Sequence, residues 1–111
     1  MAFQNITGKR LGQGNIPVAY ATFYTTPANV LTYVREFDLC NTTAATITVY
    51  VSLVVNGETV GTGNSIFYNT TIPAYSTLQW CGIQILSAGD TIQAKASAVG
   101  CTMTISGGEG T

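Results

Sequence analysis

The clearest alternation of apolar and polar residues lies between residues 46 and 55. One set of alternate positions is wholly apolar: Ile47, Val49, Val51, Leu53 and Val55. Because successive side chains of a β-strand point to opposite faces, this set should face a core, while Tyr50 and Val54 should point outward. The dipeptide Asn56-Gly57 that follows is typical of a two-residue hairpin turn. The pattern therefore predicts a long antiparallel strand that ends in a hairpin.

Shorter runs of the same kind occur on both sides of this strand. They span residues 18–25, 29–40, 65–72, 75–80, 83–86, 91–98 and 101–105. Turn-forming Gly, Pro, Asn or Asp separates them, and no stretch keeps a helical period for more than about one turn. About eight short strands with regular turns predict an all-β fold, a single antiparallel β-sandwich of the jelly-roll type.

The two ends of the chain lack this alternation. Gly8, Gly12 and Gly14 surround Lys9 and Arg10 near the N-terminus and interrupt any period. We therefore expect an N-terminal arm at residues 1–17 that packs on a neighbouring subunit or on a shell, followed by a sandwich domain at residues 18–111. The glycine-rich residues 107–111 should form a flexible end.

Arg35 interrupts the apolar face of the strand expected at residues 29–40. The apolar residues that share its parity are Leu31, Tyr33, Phe37 and Leu39. Either a bulge near Val34-Arg35 flips the register, or the guanidinium leaves the apolar face near a sheet edge and pairs with a carboxylate. We favour the bulge, or a contact with another subunit, over a catalytic role.

Charge is sparse over the 111 residues, which are enough for one domain. Charged residues make up 8% of the chain, against about 25% in an average protein, and the net charge is −1. So few basic residues leave little for counterion-release binding, and we expect no free DNA or RNA partner. A polar but nearly uncharged surface has little colloidal repulsion, which favours a surface covered by copies of itself or by a larger assembly.

Targeting signals and metal signatures are also missing from the sequence. Residues 1–15 contain no apolar run of the about 7–15 residues that an export signal needs, and no segment approaches the about 20 needed to span a membrane. We therefore expect synthesis in a cytoplasm and no membrane partner. The thiols of Cys40, Cys81 and Cys101 should be buried and free, with one disulfide as the alternative. Without His or a Cys-x-x-Cys pair, we expect no metal and no cofactor.

Glu36 and Asp38 form the one enzyme-like pair in the sequence. Two residues apart on a strand, they should share a face at about 7 Å, which lies in the range of glycosidase carboxylates. Alternatives are a solvated strand face, a salt bridge to basic residues of another subunit, or calcium held by the two carboxylates and backbone oxygens. The lack of His excludes Ser-His-Asp triads. We favour the solvated face or the salt bridge and expect no enzymatic activity.

Several motifs resemble small virion proteins of tailed phages. They are Val34-Arg35-Glu36-Phe37-Asp38-Leu39-Cys40-Asn41-Thr42, Ile72-Pro73-Ala74, Leu86-Ser87-Ala88-Gly89-Asp90-Thr91-Ile92 and Ile105-Ser106-Gly107. The resemblance spans roughly residues 18–109 and is to jelly-roll capsid decoration (cement) proteins and to the β-sandwich heads of phage fibres. It implies a virion protein, assembled in the host cytoplasm, that has the major capsid protein and copies of itself as partners. It implies no catalytic residues.

Two binding roles therefore remain open beside the disfavoured enzyme. The first is a decoration protein, expected to be a homotrimer, that binds the outside of a phage head and stabilises it by bridging capsid subunits. The second is a module of a tail or fibre that binds a receptor or a glycan through exposed tyrosines. The six tyrosines are spread along the strands, which fits subunit packing at least as well. Candidate contact residues for the first role are Lys9, Arg10, Arg35, Glu36, Asp38, Tyr50 and Val54.

Overall fold

Eight β-strands make up nearly all the regular structure of residues 6–111. A computed structural model describes residues 6–111. The strands are β1 (Ile6–Asn15), β2 (Ala21–Thr25), β3 (Leu31–Asn41), β4 (Ile47–Val54), β5 (Ser65–Ile72), β6 (Thr77–Leu86), β7 (Thr91–Ala96) and β8 (Cys101–Gly110). Within this part of the chain, the one helical segment is a 3-10 turn at Thr62–Asn64, and no helix is long and apolar enough to cross a membrane.

The strands form two four-stranded sheets with the order of a jelly roll. Sheet A has the order β1-β8-β3-β6 and sheet B the order β2-β7-β4-β5. All neighbouring strands are antiparallel. Apart from the step from β4 to β5, each strand lies in the opposite sheet from the strand before it, as two interlocked Greek keys require. The predicted all-β sandwich is confirmed.

The core lies between the inner faces of the two sheets. The largest apolar side chains that are fully buried are Phe37, Ile16, Leu39, Ile47, Ile72, Ile92, Met103 and Ile105. The Phe37 ring of sheet A has its centroid 6.2 Å from that of Phe67 in sheet B and 5.6 Å from that of Trp80. The contact with Phe67 links the two sheets, whereas Trp80 lies beside Phe37 within sheet A.

The predicted N-terminal arm is wrong for residues 6–15. This segment is β1, which pairs with β8 from Ile6 opposite Gly110 to Asn15 opposite Thr102. The side chains of Leu11 and Ile16 are buried in the core. The predicted domain boundary at residues 17 and 18 is therefore also wrong, because the sandwich includes β1. The first five residues of the predicted arm lie outside the described residues.

The predicted flexible end at residues 107–111 is also wrong, since residues 107–110 form the second half of β8. Gly107 packs so tightly against β3 that a Cβ there would overlap the carbonyl oxygen of Tyr33. At Gly108 a Cβ would lie 3.1 Å from Ile6 and 3.2 Å from the Thr7 carbonyl oxygen. Glycine permits this close approach of neighbouring backbones, and the same glycines hide the strand from a search for alternation.

The bulge predicted near Arg35 is confirmed. In the pairing of β3 with β8, Val34 lies opposite Gly107 and Glu36 lies opposite Ser106, so Arg35 is the extra residue. Before the bulge the core-facing positions of β3 are even-numbered, and after it they are odd-numbered. Arg35 itself is exposed, because the bulge removes it from the inner face.

Register shifts between β4 and β5 change the position of one predicted contact residue, Val54. Val51 lies opposite Phe67 but the next residue, Ser52, lies opposite Ser65. After this irregularity the buried positions of β4 are even-numbered instead of odd-numbered, and Val54 is only 3% exposed. The prediction that Val54 points outward is therefore wrong. Residues 55–64 form a loop with the 3-10 turn at its end, instead of the predicted two-residue hairpin.

A buried asparagine ties two loops to the end of sheet A. Asn41 is 0% exposed at the end of β3. Its Nδ2 donates to three carbonyl oxygens, those of Ala45 (2.7 Å), Ile72 (3.0 Å) and Pro73 (3.2 Å). Its Oδ1 accepts from the backbone N–H (2.9 Å) and the hydroxyl (2.8 Å) of Thr43. The side chain thereby joins the β3–β4 loop to the β5–β6 loop, and both the NH₂ group and the oxygen of its amide have hydrogen-bond partners.

Candidate functional site

The outer face of sheet A carries an apolar patch. On the edge strand β6, Ile83 is 58% exposed and Ile85 is 48% exposed. Ile83 also lines, with Ile6, Tyr33 and Arg35, a trough of about 360 Å³ that has glycines of β1 and β8 among its lining residues. We call Ile6, Tyr33, Ile83 and Ile85 the sheet A patch. Contiguous exposed apolar residues of this kind are typical of interaction surfaces.

The predicted carboxylate pair lies on the same face of sheet A. Glu36 and Asp38 share a hydrogen bond, which lowers the pKa of the Glu36 carboxyl and raises that of Asp38 above its ordinary range. Glu36 also accepts from Gln79 Nε2 at 3.1 Å and from the Cys81 thiol at 3.8 Å. The ionisation of each carboxyl group therefore depends on the charge of the other.

This geometry differs from that of a glycosidase pair. A hydrogen bond between the two carboxyl groups is the first cause of both pKa shifts, whereas the carboxyl groups of a glycosidase stand apart on either side of the bond that they cleave. Arg35, beside them, donates from Nε to the Gly82 carbonyl oxygen at 3.1 Å. Within residues 6–111, no three His, Cys, Asp or Glu side chains are grouped so that they could hold a metal ion.

Lys9 and Arg10, the two basic residues of β1 that were predicted as contact residues, lie in different surroundings. Lys9 Nζ lies 3.3 Å from Glu109 Oε2, the one ion pair within residues 6–111. Glu109 also accepts from the Tyr24 hydroxyl, which in turn contacts Thr32 Oγ1 at 2.8 Å. Burial and the neighbouring Glu109 raise the pKa of Tyr24 to about 12. Lys9 thus belongs to a link between the two sheets, whereas Arg10 is exposed on β1.

The outer face of sheet B gathers three of the six tyrosines around one lysine. Lys95 Nζ on β7 lies 4.7 Å from the ring centroid of Tyr50 on β4 and 5.0 Å from that of Tyr20, before β2. The rings of Tyr50 and Tyr68 meet edge to face, with centroids 5.3 Å apart and an interplanar angle of 83°. We call Tyr20, Tyr50, Tyr68 and Lys95 the tyrosine–lysine cluster.

Sequence reasoning found Tyr50 but missed the cluster. Tyr50 does lie on the outer face, as predicted, and its hydroxyl donates to Asn69 Oδ1 at 3.2 Å. Tyr50 lies directly opposite Lys95 in the β4–β7 pairing. The alternation within each strand could have indicated that Tyr50 and Lys95 both point outward. Only the order of the strands in sheet B makes the two residues neighbours.

All three cysteines are free, as favoured over a disulfide. Cys101 is buried, and this burial raises the pKa of its thiol to about 11. Cys40 is partly buried, whereas Cys81 is exposed on β6 beside the carboxyl pair. The predicted burial is therefore right for Cys101 and wrong for Cys81. The thiol pKa of Cys81 is raised, first by desolvation and then by the two carboxyl groups.

Comparisons with known proteins give one structural likeness. No protein-family model and no curated protein matches the chain. The chain is similar to a chain in the structure of infectious bursal disease virus, Gx strain, with a TM-score of 0.42 and 7% sequence identity. The likeness covers 95% of this chain but 30% of the other chain, so this chain spans less than a third of its neighbour's length. A likeness of this extent carries no argument about function.

Proposed function

We propose that the protein is a non-enzymatic structural protein of a virion, a capsid decoration unit that binds the outside of a phage head. The observation that carries the proposal is the sheet A patch, a contiguous exposed apolar surface on a weakly charged molecule. The resemblance of the strand and turn motifs to phage decoration proteins points in the same direction. The major capsid protein and further copies of this chain, in a homotrimer, are the proposed partners.

The contact chemistry favours many weak attachments over one strong one. Fully burying an isoleucine contributes about 1.5–3 kcal/mol, so covering the half-exposed Ile83 and Ile85 contributes about 1 kcal/mol each. Arg35, Glu36 and Asp38 lie beside them and add charged groups with which a partner can pair. Contacts of this strength hold a shell together when one unit bridges several subunits, because all its contacts must break together.

The lack of enzymatic activity is part of the proposal. Its support is the carboxyl pair, whose members are hydrogen-bonded to each other on the outer face of a sheet. A general acid and a nucleophile need separate positions on either side of a substrate bond. In this chain the two carboxyl groups are instead hydrogen-bonded to each other.

The first test is assembly. We expect sedimentation velocity at micromolar concentration to show a trimer of the 11.7 kDa chain, and the double substitution Ile83→Asp, Ile85→Asp to weaken the trimer or its binding to capsids. Val99→Asp is the matched control, because Val99 is an exposed apolar residue in the loop between β7 and β8. A native chain that stays monomeric and does not bind capsids would refute the proposal.

The second test is copy number. Decoration places copies at many equivalent positions of a symmetric shell, so quantitative mass spectrometry of purified virions should find copies on the order of hundreds per particle. Shells that lack the protein should break at lower temperature or after DNA packaging. A handful of copies per particle would reject decoration and favour a position on the tail or on a fibre.

A module of a tail or fibre that binds a receptor or a glycan is the second candidate function. The observation that favours it is the tyrosine–lysine cluster, which groups aromatic rings on one sheet face. Sugars stack on such rings through their C–H groups, and the exposed amide of Asn69 next to Tyr50 adds hydrogen-bonding capacity. The two candidates use opposite faces of the sandwich, so the tests of one leave the surface of the other intact.

A further inference from the structure

We infer that the tyrosine–lysine cluster is a binding site for an acidic sugar, a pyranose ring that carries a carboxylate. The inference rests on the second candidate function and names its ligand class. It draws on three properties of the outer face of sheet B, namely its aromatic surface, its charge and the position of its one cation.

The aromatic surface is open to solvent. Tyr68 is 56% exposed, and Tyr50 contacts it edge to face, which leaves ring surface of Tyr68 uncovered. Asn69 beside it on β5 is also exposed, so a sugar ring can lie against Tyr68 without a cleft. Stacking of this kind recognises the C–H surface of a sugar and does not distinguish neutral from acidic rings.

The charge of this face provides that distinction. The strands of sheet B, at residues 21–25, 47–54, 65–72 and 91–96, contain no Asp or Glu, and Lys95 is their one charged residue. Within residues 6–111, Lys95 has no carboxylate within salt-bridge distance. Among these residues the ammonium therefore lacks an anionic partner, and a ligand carboxylate is the complementary group.

The rings of Tyr20 and Tyr50 also hold the cation in place. Both centroids lie within about 5 Å of Lys95 Nζ, at 5.0 and 4.7 Å, which is the range of cation–π attraction. A lysine on a free surface loses rotamer freedom when it binds an anion, but this ammonium is already positioned beside the stacking surface. The Tyr50 centroid lies 4.7 Å from Lys95 Nζ and 5.3 Å from the Tyr68 centroid, so the charge and the stacking surface lie at most about 10 Å apart on this face.

A matched pair of probes separates stacking from charge. Methyl β-D-glucuronide and methyl β-D-glucoside differ only in the carboxylate or hydroxymethyl group on the ring. In an NMR titration of the full ¹⁵N-labelled chain, we expect glucuronide to shift amides of the cluster with a Kd of about 1 mM. The glucoside should bind about 3-fold more weakly, because an exposed ion pair contributes a modest preference.

Three substitutions assign the two contributions. Lys95→Met should abolish the preference for glucuronide, whereas Lys95→Arg should keep it, because arginine retains the charge and also stacks on tyrosine. Tyr68→Ala should weaken both sugars. Arg10→Met is the matched control: it removes one positive charge on sheet A, changes the net charge equally and should leave the preference unchanged.

The outcomes separate this inference from the function on which it rests. Equal binding of both sugars that is lost in Tyr68→Ala would keep the glycan-binding function and refute the acidic ligand. No shift of cluster amides with about 50 mM of either sugar, far above the expected Kd, would refute both. Dissociation of a native oligomer by Lys95→Met would instead identify this face as a contact with the carboxylates of another copy, and would overturn the inference.

Discussion

Replacing Asn41 with alanine should destabilise the sandwich by about 3–4 kcal/mol. The substitution removes a side chain that donates to three carbonyl oxygens and accepts two hydrogen bonds from Thr43. The contact with the Ile72 carbonyl is buried, and the others lie partly exposed in the loops. The loss should therefore be large at one carbonyl and smaller at the remaining groups, which water can reach.

The magnitude follows from that difference. A buried polar group left without a partner costs about 1–3 kcal/mol, and an exchangeable hydrogen bond contributes about 0.5–1.5 kcal/mol. One cost of about 2 kcal/mol and a few of about 0.5 kcal/mol give about 3–4 kcal/mol. A chain of this size has a free energy of unfolding of about 5–15 kcal/mol, so Asn41→Ala should still fold and its stability should be measurable.

The assay is urea unfolding followed by the fluorescence of Trp80, the single tryptophan. Its ring lies 5.6 Å from the core residue Phe37, so its emission should change on unfolding. Asn15→Ala, at an exposed position of β1, is the matched control and should stay within about 0.5 kcal/mol of the native chain. A loss below about 1 kcal/mol in Asn41→Ala, with an unchanged urea dependence, would refute the reasoning.

Asn41→Asp sharpens the test, because it keeps the shape and replaces the donor with an acceptor that faces the same carbonyl oxygens. The pKa of the introduced carboxyl should be higher in the folded chain than its unfolded value of about 3.9. The folded state then binds the proton more tightly. The variant should therefore be most stable below about pH 4, where the carboxyl group is protonated in both states, and should lose stability as the pH rises through the folded pKa. A variant as stable at pH 7 as at pH 4, relative to the native chain, would contradict this account.

Three further predictions concern the strand ends and the carboxyl pair. Gly107→Ala should destabilise the chain in urea by at least about 3 kcal/mol, whereas Gly8→Ala, where a Cβ meets nothing within 4 Å, should stay within about 0.5 kcal/mol. Carboxyl NMR should place the Glu36 pKa below its ordinary value and the Asp38 pKa above its ordinary value, and Glu36→Gln should lower the Asp38 pKa. The linked effects of the two groups on stability oppose each other, since a raised pKa stabilises at low pH and a lowered one at high pH. Deleting residues 6–17 should abolish the sandwich by circular dichroism, and a folded product would contradict the place of β1 in the core.

Much of the fold could be predicted where the strands alternate. β5 begins and ends at the predicted residues, and the clash of Arg35 with its parity correctly indicated a bulge. The turn at residues 87–90 also behaves as its sequence predicts. Gly89 has a φ of 87°, and the Asp90 carboxylate accepts from the Ser87 and Asn56 N–H groups at 2.9 Å.

The failures at the two ends of the chain share one physical cause, which is that glycine has no side chain to alternate. β1 and the second half of β8 are glycine-rich, and each is stable because it pairs with the other. The outward position predicted for Val54 failed because the register of β4 shifts against β5, which the residues of β4 alone do not encode. The tyrosine–lysine cluster draws residues from three strands and a connecting segment, so it depends on strand order and could not be read from spacing.

The pairing of β1 with β8 has a consequence for biosynthesis. Ile6 lies opposite Gly110, so β1 cannot form its backbone hydrogen bonds with β8 until β8 has been synthesised. Contacts between such distant parts of a chain raise the contact order and slow folding. On the ribosome, β1 therefore emerges long before its partner, and the sandwich closes only after synthesis has passed β8. Until then the exposed edge of sheet A is open to pairing with other nascent chains, and dense polysomes should favour aggregation.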